Sequence, residues 1–299
     1  MAPATSIALI LSPYHVGLPA HRVGAGPLRI QSHGLEAALR RICPVTTTTT
    51  IPPVDDFEGE IGRTFEILRR ISRAVAAARA ARAFPVVLAG NCNASVGVAA
   101  GLGDVGDLSI VWFDAHDDMD TPDTHVNGYL DAMGVSVLAG RSWRALMATV
   151  PGHVDRRLDG RFVYCGLRDV TEVQRRAVED AGVDVVWGEA GRRVDFAAEL
   201  EGMLDGKEMG QALVHLDLDC LDESLGWVNE YPSPGGLLED DLFKSLSLVP
   251  AKVTPVSLTV CSFNPNLEGG DRIAKIAVEA MCRFVESLVD SGVLQRSSR

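Results

Sequence analysis

The chain predicts an α/β fold: a parallel sheet with helices on both faces. Three observations carry that reading. Short apolar runs alternate with helical patterns along all 299 residues, the βαβα rhythm that lays helices over a parallel sheet. The apolar runs read as buried strands, covered on both faces. Two of them end in carboxylate-rich segments, Asp114-Ala115-His116-Asp117-Asp118 and Asp217-Leu218-Asp219, and ligands in an open α/β sheet bind beyond the carboxyl ends of its strands.

Taken in order, residues 7–11 form the first strand candidate. The run 6–11 is too short for a signal-peptide core and lacks a basic flank. Residues 45–50 are a β-branched run, which suits a strand better than a linker. A helix is expected over 62–81, where Phe65, Leu68, Ile71, Val75 and Ala78 recur at helical spacing. Further strands are expected at 86–88, 108–113, 161–165, 183–187, 212–217 and 256–261, and a long helix at 273–289. Three long polar loops, 13–27, 114–128 and 219–236, follow strands, where sites are usually built. No internal repeat or domain-scale linker is visible.

Composition narrows the function. The chain is 46% hydrophobic and 23% charged, an ordinary globular balance. Its net charge of -12 argues against nucleic acid, which needs basic patches. No run approaches the roughly 20 apolar residues that span a bilayer, so a cytoplasmic protein without a membrane partner is expected. The six cysteines, Cys43, Cys92, Cys165, Cys220, Cys261 and Cys282, show no CxxC spacing, so reduced thiols are expected.

Asp114, His116 and Asp118 stand two apart, and so do Asp217 and Asp219. On extended backbone such residues point the same way. Two such segments aim several carboxylates and an imidazole at one cleft. Uncompensated, they would repel one another and desolvate at high cost. Divalent metal ions relieve this, and two fit the ligand count. Read singly, each segment could instead be a solvated loop or an Asp-rich helix start.

These segments carry a resemblance. Trp112 to Asp120 (WFDAHDDMD) and His215 to Asp222 (HLDLDCLD) resemble the two metal motifs of the arginase (ureohydrolase) superfamily. Gly24-Ala-Gly-Pro-Leu-Arg29 resembles its early GP loop, and Gly166-Leu-Arg-Asp169 its GLRD segment. Pro232-Ser-Pro-Gly-Gly-Leu237 resembles its PxxGGL loop, and Asn264-Pro265 its NP pair. The resemblance covers almost the whole chain. It implies one three-layer α/β/α domain over 1–299 with an eight-stranded parallel sheet, and a homo-oligomer, trimer or hexamer. It also implies two Mn²⁺ ions about a bridging hydroxide that attacks a guanidino-type carbon. Asp114 and Asp217 would bridge, Asp118 would complete one metal, and His116 and Asp219 the other.

Departures from the family pattern direct the rest. Cys92, in Ala89-Gly90-Asn91-Cys92, stands where the family has a His ligand. A thiolate ligand favours Zn²⁺ or Fe²⁺ over Mn²⁺; otherwise Cys92 is an ordinary loop cysteine. Asp131 stands where arginases have a His thought to shuttle protons, and His125 lies just upstream as a substitute. Near cations the pKa of Asp131 should fall. Ser262 replaces the Glu that pairs with a guanidinium, Thr171 an Asp that binds the α-amino group, and Tyr231 a Thr that lines the site. By the same resemblance Asn127, Ser136, Tyr231 and Ser262 are the substrate-binding positions, and Asp131 offers a second anionic clamp. The expected activity is hydrolysis of a C–N bond in a small linear guanidino, N-hydroxyguanidino, ureido or formimino compound, most simply an amino-acid derivative. The alternatives are a non-catalytic metal-binding scaffold or small-molecule binder, and a metal-dependent deacetylase on a related fold. For the last, the paired His bases that chemistry needs are missing.

Overall fold

In the computed structural model, which describes residues 2–55 and 58–296, eight strands pair in one sheet. They are β1 (Ser6–Ser12), β2 (Val45–Thr50), β3 (Ala83–Ala89), β4 (Ser109–Phe113), β5 (Phe162–Leu167), β6 (Asp184–Trp187), β7 (Gln211–Asp217) and β8 (Thr254–Cys261). Every neighbouring pair is parallel, in the order β2-β1-β3-β8-β7-β4-β5-β6. Each strand lies where the sequence expects one, with shifted ends. The strand expected at 86–88 begins at Ala83, because Pro85 lies before the stretch that bonds to β8 (Val86 to Leu88) and its missing N–H costs that ladder nothing.

Successive strand residues feed opposite cores. Ile7, Leu9, Leu11, Val111, Phe113, Val214 and Leu216 pack on one face with α3 (Phe196–Leu204), α4 (Glu239–Lys252) and α5 (Gly270–Asp290). Ile10, Val87, Ile110, Trp112 and Leu213 pack on the other with α1 (Glu60–Ala80) and α2 (Ala94–Leu102). This is a three-layer α/β/α architecture. Residues 65, 68, 71, 75 and 78 form the buried stripe of α1, as its periodicity predicts. No helix of the described residues is long and apolar enough to cross a membrane.

The four middle strands, β3, β8, β7 and β4, position the site. Their carboxyl ends lead into Gly90 to Cys92, Ser262, Asp217 to Asp219, and Asp114 to Asp118. Backbone seams hold these loops together: a Cβ on Gly90 would collide with the Tyr14 carbonyl, and one on Gly26 with the Phe263 carbonyl. The Ser262 N–H donates to the Gly90 carbonyl at 3.0 Å. Only glycine permits such close approach.

Candidate metal centre

At the end of β4 the chain leaves the extended conformation. Asp118 has a φ of 51°, and its carbonyl accepts from Val135 N at 2.8 Å. Asp118 therefore reaches the cluster through a turn, not through the strand alternation that the spacing suggested. The ligand candidates converge nonetheless. The ligand atoms of Cys92, Asp114 and Asp118 lie within 4.8 Å of one another, and so do those of Asp114, His116 and Asp219. Asp114 belongs to both groups. Asp217 sits between them: Oδ2 contacts Cys92 Sγ at 2.8 Å, and Oδ1 accepts from Asp219 N at 2.7 Å.

The His116 half is braced. His116 Nδ1 lies 3.2 Å from Asp219 Oδ2 and 3.5 Å from Asp114 Oδ1, and Nε2 lies 3.5 Å from Asp169. Asn229 Nδ2 donates to Asp219 Oδ2 at 2.8 Å, and the Trp112 indole N–H to Asp114 Oδ2 at 2.8 Å. Burial opposes a charged His116, but Asp219, Asp114 and Asp169 outweigh it and hold the imidazole well above the ordinary histidine value. Burial likewise opposes a charged Asp219, but His116, Asn229 and Arg168 hold its carboxyl far below the usual range.

The Cys92 half lacks such compensation. Burial, then Asp114 and other carboxylates, pushes Asp118 well above its usual value; burial, then Asp219 and Asp114, does the same to Asp217. Asp114 rises to about 7, from burial and then Asp219. Cys92 is raised by burial and by its contacts with Cys261 and Asp217. Its Sγ lies 3.1 Å from Ser262 Oγ and 3.7 Å from Cys261 Sγ.

The donor set fits divalent cations. Without positive charge these carboxyls must keep protons to share so small a volume. Asp118 Oδ2 is buried with no hydrogen-bond partner, an open acceptor of the kind a metal or water completes. Carboxylates with one imidazole suit Mn²⁺, and a thiolate at Cys92 favours a softer ion.

A cavity of about 320 Å³ opens over the cluster. Cys92, His116, Asp118, Asp217 and Asp219 form part of its wall, with Asn127, Tyr231, Ser262, His125 and Asp131. Ser136 does not line it. That expectation is corrected: the Ser136 hydroxyl is fully buried and bonded to the Asp120 carbonyl at 2.6 Å and to Ser142 at 2.8 Å. Thr171 is also outside, capping the helix Glu172–Asp180 through Gln174, which itself reaches the cavity. The carboxylate of Asp131 accepts from Asn93 N at 3.0 Å and Asn91 Nδ2 at 2.5 Å. Burial raises it to about 6. His125 accepts from Tyr129 N at 3.2 Å through Nδ1, and its Nε2 lies 4.0 Å from Asp120. All six cysteines are free thiols.

Several neighbours of the cluster escape sequence reasoning. His215 is fully buried, stacked on Trp112 at 3.5 Å, with Nδ1 2.7 Å from Ser95 Oγ and Nε2 3.6 Å from Cys261 Sγ. Burial lowers it to about 3, so it is neutral. Arg168 ties the second loop down, donating to the carbonyls of Asp219, Leu221 and Ser233 at 2.9, 2.9 and 3.0 Å. Asp222 Oδ2 accepts from Gly235 and Gly236. In the sequence Arg168 stands in the GLRD segment and His215 and Asp222 in HLDLDCLD, and neither motif names their partners.

Known proteins agree with this architecture. The Arginase family model matches residues 6–287. Arginase-1 of Xenopus laevis is 30% identical over 258 residues, 77% of this chain and 78% of the relative. The solved arginase of Bacillus caldovelox superposes with a TM-score of 0.81 at 21% identity, covering 95% of this chain and 98% of its own. The proclavaminate amidino hydrolase of Streptomyces clavuligerus superposes with a TM-score of 0.69 at 20% identity, covering 97% and 93%. With a family match that runs across nearly the whole chain and a sheet that brings the matched segments to one end, the chain belongs to the arginase family.

Proposed function

We propose that the protein, as a single domain of residues 1–299, is a binuclear metal-dependent hydrolase of a C–N bond in a small linear N-hydroxyguanidino, ureido, formimino or guanidino compound. One observation carries this reading: two ligand groups share the buried Asp114, and their other members, Cys92, Asp118, His116 and Asp219, line one cavity. Cys92, Asp114, Asp118 and Asp217 would hold one ion, and Asp114, His116, Asp217 and Asp219 the other. Mn²⁺ suits the second set, with Zn²⁺ or Fe²⁺ open to the first. When bound, such ions supply charge compensation and lower the pKa of a water toward neutrality.

The chain's own residues do the rest. Trp112 and Asn229 fix the orientations of Asp114 and Asp219 through one hydrogen bond each, as partners of metal ligands commonly do. Ser262 meets the substrate where a carboxylate clamp is missing, so a full guanidinium loses a charge-assisted partner worth about 2–3 kcal/mol. That favours a less cationic substrate, and the amidino hydrolase among the solved relatives shows that the fold is not confined to arginine. The hydrogen bonds that Asp131 accepts from Asn91 and Asn93 make it a brace for the Cys92 loop and a poor free clamp. These same bonds favour the second reading, a metal-binding relative that binds small molecules without turnover. We place the protein in the cytoplasm as a homo-oligomer by family likeness.

The test is urea release by Mn²⁺-reconstituted protein on arginine, agmatine, guanidinobutyrate, N-hydroxy-arginine and an O-ureido amino acid, with and without chelator. Chelator-sensitive urea from the hydroxy or ureido compounds, and little from arginine, is the expected result. Strong turnover of arginine refutes the clamp argument. Silence across the panel, together with no formamide from formimino compounds, leaves the binder reading.

A further inference from the structure

We infer that Arg22 anchors a carboxylate of the substrate, so that the cavity takes a linear carboxylic acid with its nitrogen-bearing end at the ligand cluster. This rests on the small-molecule reading of the cavity above. Among the described residues lining the cavity, Arg22 is the one Arg or Lys; seven others are Asp or Glu. Away from the ligand cluster, Arg22 is the one permanent cation that a carboxylate entering that field can meet.

The guanidinium is oriented for the task. Arg22 Nε donates to Glu230 Oε1 at 2.8 Å, and the same oxygen accepts from Asn264 Nδ2 at 2.9 Å. Only Nε is used among the hydrogen bonds of the described residues, which leaves the two terminal nitrogens as a fork, and such a fork matches a carboxylate bidentately. The Arg22 side chain keeps 39% exposure, so it is reachable from solvent.

Its partner Glu230 sits beside the ligand cluster. Asn229 donates to the ligand candidate Asp219 at 2.8 Å, and the Tyr231 ring stands edge-on to His116 with centroids 6.2 Å apart. Glu230 lies between them, so the residue that grips Arg22 is one Cα step, about 3.8 Å, from each neighbour of the cluster. The backbone gives an independent sign. Arg22 has a φ of 45°, which glycine adopts freely and a long side chain does not. Such outliers gather at ligand-holding positions.

The test uses the metal-reconstituted full chain and two ligand pairs that differ in a carboxylate: L-ornithine with putrescine, and L-arginine with agmatine. Affinities are measured by calorimetry on wild type, Arg22→Gly and Arg22→Lys. Arg22→Gly is expected to fold, because glycine relieves the positive φ. Wild type is expected to prefer the carboxylate member of a pair by about tenfold or more. Arg22→Gly should erase that preference, and Arg22→Lys should keep part of it. A simple salt bridge at the cavity mouth would weaken both members alike. An undiminished preference in Arg22→Gly, or no preference in wild type for either pair, overturns the assignment. The urea panel reads the other question separately. A carboxylate preference without turnover sinks the hydrolase reading alone, and turnover with an unchanged preference in Arg22→Gly sinks the anchor alone.

Discussion

The two halves of the cluster share Asp114 and Asp217, yet they solve the problem of buried charge differently. The His116 half carries its own cation. The imidazole sits among Asp219, Asp114 and Asp169, and Asp219 stays ionised. The Cys92 half has a thiol, two raised carboxyls and an orphan oxygen on Asp118. One half balances its buried carboxylates with a proton on the His116 imidazole, the other with protons on its own carboxyls. An arriving ion must displace the proton in either case. A single site can therefore contain one position tuned for a hard ion and one open to a softer one.

The largest effect should come from removing what the halves share. Asp114→Ala is expected to strip metal from both positions and lower turnover by about 100-fold or more, since even partners of metal ligands cost 10–100-fold. Metal analysis of the purified variant decides it, and full metal content would end the bridging assignment. A smaller effect should separate the halves. Cys92→Ser is expected to lose one of two ions, and Cys92→His to keep both while shifting preference toward Mn²⁺. Unchanged metal content in Cys92→Ser would make Cys92 a bystander.

The smallest effect is on stability without metal. Asp114 and Asp131, at about 7 and about 6 when folded, hold their protons more tightly than the unfolded chain does at its usual value of 3.8. Their contribution is present in full below that value and is lost as pH rises through about 6 to 7. Asp219 runs the other way, because its folded pKa is depressed. The chelated protein should melt several degrees lower at pH 7.5 than at pH 5, and metal should remove most of that difference. Thermal melts at both pH values, with and without chelator, measure it; a chelated protein equally stable at both would show that the Cys92 half is not frustrated.

Much of this was legible in the sequence. Seven strands announce themselves as apolar runs and β2 as a β-branched one, and the spacing of Asp114, His116, Asp217 and Asp219 points to one cleft because a strand end directs them there. Asp118 was named for the wrong reason: a left-handed residue has no signature in a run of aspartates. Ser136 was misplaced because Asp131 and Ala132, a turn upstream, reach the cavity while its own hydroxyl turns inward. His215, Cys261 and Ser95 look like ordinary core positions, and their meeting beneath Cys92 depends on β3, β7 and β8 becoming neighbours. Arg22 was invisible because its partner Glu230 lies 208 positions away, with no local pattern to join them.

The strand order carries a consequence for the birth of the protein. β8 is the last strand to be synthesised, yet it lies between β3 and β7. Until Thr254 to Cys261 emerge, a growing chain can build only two separate ribbons, one of β2, β1 and β3 and one of β7, β4, β5 and β6. Each exposes an unpaired inner edge, an invitation to misassociate. Cys92 rides on one ribbon and Asp114 and Asp217 on the other. The nascent chain is therefore unable to bring Cys92 to the other donors until β8 slides in as the keystone.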